Sequence, residues 1–130
     1  MRAKNKKERD KIRHKLWLKS NKTCTICNNK IMLENVTIDH VIPKLYCGVN
    51  SMKNYRSACL DCNSRRGHKI NISDLFNECT KQKLSNKRIV KIICKYYTHN
   101  ISKFIKGGLR KYYGKYVIRT YVQTKKRILN

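Results

Sequence analysis

Acid is scarce in this chain. Seven Asp and Glu face thirty-two Lys and Arg across 130 residues, for a net charge of +25. So unbalanced a chain repels itself, and a polyanionic partner, nucleic acid first, is the natural explanation. Solubility alone, or a ribosome-type structural role, is the bland alternative. The shortage is uneven. Residues 1–22 hold ten basic residues against two acids, residues 23–70 seven against three, and residues 71–130 fifteen against two. No acid follows Glu78. Long apolar runs are missing too: none approaches the roughly 18 residues of a membrane span. The start, Met1-Arg-Ala-Lys-Asn-Lys-Lys-Glu-Arg-Asp10, is too charged for a secretory signal. A soluble protein of a reducing intracellular compartment, cytoplasm or nucleoid, is expected. There is one proline, Pro43, and neither an internal repeat nor a low-complexity tract. The abundance of Lys, Asn and Ile points to an AT-rich genome, as in many viruses, phages and mobile elements.

What the chain does have is cysteine in pairs. Cys24-Thr-Ile-Cys27 and Cys59-Leu-Asp-Cys62 bracket Thr37-Ile-Asp-His-Val-Ile-Pro43, and Asn63-Ser-Arg-Arg-Gly67 follows at once. Each pair sets two thiolates one tight turn apart, and two pairs complete a tetrahedral four-thiolate zinc site. Such a metal is structural. It ties the segment's start to its end and leaves Asp39 and His40 free for chemistry. A disulfide framework is disfavoured, because Cys47, Cys79 and Cys94 lack the spacing and the total of seven is odd.

The length suits one domain with appended arms: a basic N-terminal helix in 1–22, a central module in 23–70 and a basic extension in 71–130. Ile12, Leu16 and Trp17 give residues 5–18 a helical pattern, and this helix is expected to lie across the module. β-Branched residues over 36–42 predict a strand that runs through Pro43 into a loop at 44–53. A returning strand at 55–59 and a short helix at 60–69 complete the expected order of strand, loop, strand, helix. Ile89, Ile93, Tyr96, Tyr97, Ile101, Phe104 and Ile105 form an apolar stripe at helical spacing, ended by Gly107-Gly108. That stripe reads as packing surface. Residues 115–122 suggest a strand.

The set Cys24-x2-Cys27, Asp39-His40-Val-Ile-Pro43, Asn54 and Cys59-x2-Cys62-Asn63-x3-Gly67 closely resembles the zinc-stabilised HNH endonucleases. The resemblance covers roughly residues 13–70. It implies an α+β protein built on a small ββα-metal module, stapled by a four-cysteine zinc site and flanked by the N-terminal helix and the basic C-terminal extension. It also implies hydrolysis of DNA phosphodiester bonds. His40 would be the general base, since a neutral imidazole with an ordinary pKa of about 6.5 accepts a proton near physiological pH. Asp39 and Asn63 are carried over as ligands of a catalytic divalent cation, Mg2+ or Mn2+, which oxygen donors suit. Asp39 would face the other side of a regular strand from His40, so a local twist is expected to bring both to one site. Asn54 is carried over as the residue that bonds across the loop and holds the His40 backbone.

Lys44, Arg56, Arg65, Arg66 and Lys69 are candidate DNA contacts, acting on phosphates and so on affinity more than sequence choice. His68 falls five residues after Asn63, which rotates it off the same helical face, and it is left out of the ligand set. Tyr96, Tyr97, Tyr112, Tyr113, Tyr116 and Tyr121, interleaved with Lys and Arg, either stack on bases or build a second core. Duplex DNA is the expected partner, with no membrane and no small-molecule substrate. Two rivals stand beside the enzyme: a catalytically inactive zinc module of this type that binds nucleic acid, and an RNA-binding structural protein. Neither needs Asp39, His40 and Asn63 together.

Overall fold

A computed structural model describes residues 5–101. Its elements are helix α1 (Lys6–Lys19), strands β1 (Val36–His40) and β2 (Tyr55–Cys59), and helices α2 (Leu60–Arg66), α3 (Ile72–Lys81) and α4 (Asn86–Ile101). The two strands pair antiparallel, with Val36 opposite Cys59 and His40 opposite Tyr55. Strand, loop, strand and helix follow in the expected order, so the fold is α+β with a ββα unit at its centre.

Helix α1 starts where the Asn5 side chain accepts the Glu8 N–H at 2.9 Å, a conventional N-cap. It crosses the hairpin as expected. Leu16 is buried, the Trp17 indole N–H donates to the Ile31 carbonyl at 2.7 Å, and Arg13 reaches the Val36 carbonyl at 2.8 Å. Leu16 and Trp17 thus face the first half of the module. A small cluster of Cys24, Ile31, Val36 and Ala58 lies beneath Trp17.

Strand β1 stops at His40, two residues before its β-branched run ends. The Val41 N–H still meets the Asn54 carbonyl at 2.9 Å, but the Ile42 N–H goes to the Asn54 side chain at 2.8 Å. A side chain replaces the ladder there, so the backbone leaves the sheet. Helix α2 is shorter than the expected 60–69, because Gly67 takes a positive φ of 53° and ends it.

Helix α3 was not anticipated. Asn71 caps it by accepting the Asp74 N–H at 2.8 Å, and Leu75 and Cys79 carry its buried face. The stripe on α4 behaves as predicted: Ile89 and Ile93 are buried with Ile92, and Tyr96 and Tyr97 pack beside them. These residues close over Ile42 and Tyr46, which follow β1, so the larger core lies between the loop and the α3–α4 pair. Phe104, Ile105, the Gly107-Gly108 stop, the tyrosines from 112 onward and the strand at 115–122 lie outside the described residues.

Candidate metal centre and active site

The four paired cysteines converge. Cys24 and Cys27 sit on a knuckle closed by the Thr23–Lys30 bridge, in which the Cys24 N–H meets the Asn29 carbonyl at 2.8 Å and Asn28 adopts a φ of 64°. Cys59 ends β2 and caps α2, and Cys62 lies in the first turn of that helix. All four Sγ atoms lie within 4.8 Å of one another. Tetrahedral zinc with Zn–S bonds of about 2.3 Å sets its sulfurs about 3.8 Å apart, so drawing the four inward by up to about 1 Å would complete the site. Backbone N–H groups already point at two of them, Ile26 at Cys24 and Cys62 at Cys59, both at 3.4 Å.

The thiols share their protons unequally. Burial pushes Cys24 up, but N–H groups of Cys27, Cys59 and Ile26 outweigh it and bring its pKa down to about 6. Cys62 donates to Cys59 and is pushed up to about 12, with burial adding to the effect. A bound divalent cation would replace those shared protons, and the donor set fits structural zinc.

Next to this staple, the end of β1 and the loop after it place the second group. The His40 imidazole is half-buried, with Nε2 3.1 Å from the Asn50 Oδ1 and its ring edge-on to Tyr55 at 4.9 Å between centroids. As the acceptor there is an amide oxygen, Nε2 carries the proton and Nδ1 is left as the basic nitrogen. Burial lowers the imidazole pKa. Lys44 and Arg66 push it the same way, against the Asn50 hydrogen bond and the charge of Asp39.

Asn54 is fully buried and makes four hydrogen bonds. Its Oδ1 accepts from the Ile42 N–H and from Gln82 Nε2, each at 2.8 Å, and its Nδ2 donates to the Ile42 and Val49 carbonyls, each at 3.0 Å. Gly48 completes the loop. A Cβ there would lie 1.9 Å from the Ile42 oxygen and 2.9 Å from Asn54 Nδ2, so only glycine allows the strands of the loop to close this far.

Residues 24–76 match the family model described as HNH endonuclease. Over that segment the chain is similar to the HNH endonucleases. No curated protein matches it.

Within the matched segment, Asp39 and His40 turn to different partners. Asp39 is buried with both carboxylate oxygens held by guanidinium groups: Arg56 Nε at 2.6 Å from Oδ2, and Arg66 Nη1 at 2.8 and 3.0 Å from Oδ1 and Oδ2. Arg66 also donates to the backbone carbonyls of His40, at 2.6 Å, and Val41. It is therefore a tie between α2 and the end of β1. Asn63 directs its amide nitrogen at Thr37 Oγ1, 2.9 Å away, which leaves Oδ1 as the atom it could offer to a cation.

The candidate DNA contacts fall into two groups. Lys44, Arg65 and Lys69 are exposed, and Arg65 pairs with Asp61 at 3.1 Å in the open. Arg56 and Arg66, with side chains 30% and 12% exposed, are engaged on Asp39. His68 lies edge-on to His99 and Tyr46, on the side of α4. Sequence reasoning missed Asn50 and Gln82. Asn50 sits in an irregular loop where no periodicity marks it, and Gln82 sits at the end of a helix that was not recognised.

Proposed function

We propose that this chain is a metal-dependent endonuclease that hydrolyses DNA phosphodiester bonds. The observation that carries the reading is the His40 imidazole, half-buried, depressed in pKa and held through Nε2 by Asn50, which leaves Nδ1 to accept a proton. His40 Nδ1 takes a proton from water, the hydroxide attacks the scissile phosphorus, and the bond to the leaving 3′ oxygen breaks. Asn54 keeps the backbone on both sides of the imidazole in place. Asp39 and Asn63 are the oxygen donors that would hold Mg2+ or Mn2+, whose chemistry is to offset charge growing on the phosphate. Cys24, Cys27, Cys59 and Cys62 hold structural zinc. Lys44, Arg65 and Lys69 offer the phosphate contacts, with the basic residues beyond Glu78 extending the grip on duplex DNA.

One observation favours the rival, a non-cleaving zinc module that binds nucleic acid: two guanidinium groups already neutralise Asp39. Incubation with supercoiled plasmid decides between them. The enzyme nicks or linearises it with Mg2+ or Mn2+, loses that activity on His40→Ala, and still retards the plasmid. Retardation without any cleavage, across both cations, leaves the binding module.

A further inference from the structure

We infer that Gln82 is a positioning residue of the active site, acting through Asn54 from outside the matched HNH segment; this rests on the nuclease reading above. Gln82 follows the last residue of α3 and is 7% exposed. Its Nε2 donates to Asn54 Oδ1 at 2.8 Å and lies 3.3 Å from Glu78 Oε2. Both neighbours are acceptors, which fixes the amide's orientation and turns Oε1 the other way. That oxygen is buried and finds no partner among the described residues. A buried, unpartnered carbonyl is unfavourable, and an aliphatic side chain of similar size would fill the place without it. Packing therefore does not account for glutamine here. Its donor does.

What the donor supports is an amide with all four of its hydrogen bonds made. The Ile42 N–H needs an acceptor while the Ile42 and Val49 carbonyls need donors, so Asn54 has one orientation, with one remaining lone pair on Oδ1. Gln82 fills it. Ile42 stands two residues after His40, and Val49 stands immediately before Asn50, which holds His40 Nε2. Asn54 thus pins the chain on both sides of the imidazole, and Gln82 stops the Asn54 amide from turning. The α3–α4 pair closes on the same loop again where Arg88 Nη2 donates to the Cys47 carbonyl at 2.8 Å. The family match ends at residue 76, so this support comes from beyond it.

The test uses the full zinc-loaded chain with Gln82→Leu and Gln82→Glu, and Ile93→Val as a control that thins the same core without touching Asn54. Gln82→Leu should slow single-turnover plasmid cleavage about 10- to 100-fold with zinc content unchanged, since a loosened base loses its alignment. Hydrogen exchange at the Ile42 amide should speed up, and the His40 ring nitrogens should lose their single-tautomer NMR shifts. In Gln82→Glu the introduced carboxyl faces Asn54 Oδ1 and Glu78, so slow Ile42 exchange should be absent at pH 8 and return as that carboxyl protonates. The inference is overturned if Gln82→Leu keeps wild-type Ile42 exchange and His40 shifts, or slows cleavage no more than Ile93→Val at equal loss of melting temperature. If the wild type cuts no DNA, the nuclease reading falls, while the Ile42 and His40 spectra still decide what Gln82 does.

Discussion

Arg66 closes on Asp39 with one nitrogen, Nη1, 2.8 Å from one carboxylate oxygen and 3.0 Å from the other, while the same side chain binds the His40 carbonyl. The acid next to the proposed base is therefore held in a cationic grip that also fixes the base's own backbone. Arg56 adds a second positive charge from the opposite strand. Any divalent cation approaching Asp39 competes with both.

That competition is measurable. Arg56→Gln removes one charge but leaves the tie made by Arg66, so the half-saturating Mg2+ concentration for cleavage should fall. A charge a few ångströms away at an effective dielectric of about 20 is worth a few kcal/mol before screening, so a drop of about fivefold is a conservative expectation. Titration of Mg2+ at saturating DNA tests it. An unchanged midpoint would mean that Asp39 does not take part in holding the cation.

Zinc should be present at one ion per chain and be essential to the fold. Among the described residues the cluster nearest the knuckle buries Cys24, Ile31, Val36 and Ala58, with Trp17 packed against them, too little apolar surface for a small unit to stand on. Structural zinc contributes about 10–16 kcal/mol in finger peptides. Chelation, or Cys24→Ser at the fully buried ligand, should abolish the cooperative melt seen by circular dichroism. A folded preparation that elemental analysis finds free of zinc would refute the assignment.

Both activity and stability should fall in acid through His40. Its folded pKa lies below the unfolded value of about 6.5, chiefly because burial disfavours the charged ring. Between the two values the unfolded chain binds the proton and the folded chain does not, so stability rises with pH across that window. The contribution is fully present above about pH 6.5 and is lost as pH falls through the folded pKa. Cleavage should follow the same limb, because only neutral imidazole serves as base, with the midpoint below 6.5 and a plateau at neutral pH. His40→Ala should cost about 10²- to 10⁴-fold at the plateau and abolish the limb. A rate with no acid limb at any pH where the protein stays folded would exclude His40 as the base.

The legible parts of this chain were those written in local signals. Cysteine pairs fix a metal site by spacing, and β-branched residues mark a strand though not where it stops, so the hairpin, the start of α2 and the four-sulfur cluster follow from short windows. The Asn54 brace was anticipated through the family resemblance alone. Gln82 was invisible, because its role depends on α3 folding back across twenty-eight residues to reach Asn54. The cap that starts α3, Asn71 with Asp74, is a local signal in the sequence, though it does not say where the helix packs. The grip on Asp39 was unreadable for a different reason. Arg56 and Arg66 look like any other basic residues of a basic chain, and only strand register and the pitch of α2 single them out.

Two truncations of the basic extension should have different consequences. Truncation after Ser85 removes Ile89, Ile92 and Ile93 from the larger core and uncovers Ile42 and Tyr46. Three buried isoleucines are worth about 5–9 kcal/mol, comparable to the whole net stability of a small domain, so that truncation should lose the active-site loop even with zinc bound. Truncation after Ile101 keeps every described member of both buried clusters and removes nine Lys and Arg with no acid. If about four of those nine meet phosphates, the slope of log K against log salt should flatten by roughly 3.6 units, at about −0.9 per contact. Affinity should fall equally for all sequences, since phosphate contacts carry no base information. Filter binding of the two proteins across a range of salt concentrations supplies both numbers. An unchanged slope for the chain ending at Ile101 would show that the tail does not lie along the DNA backbone, and the excess charge would then have to serve another polyanion.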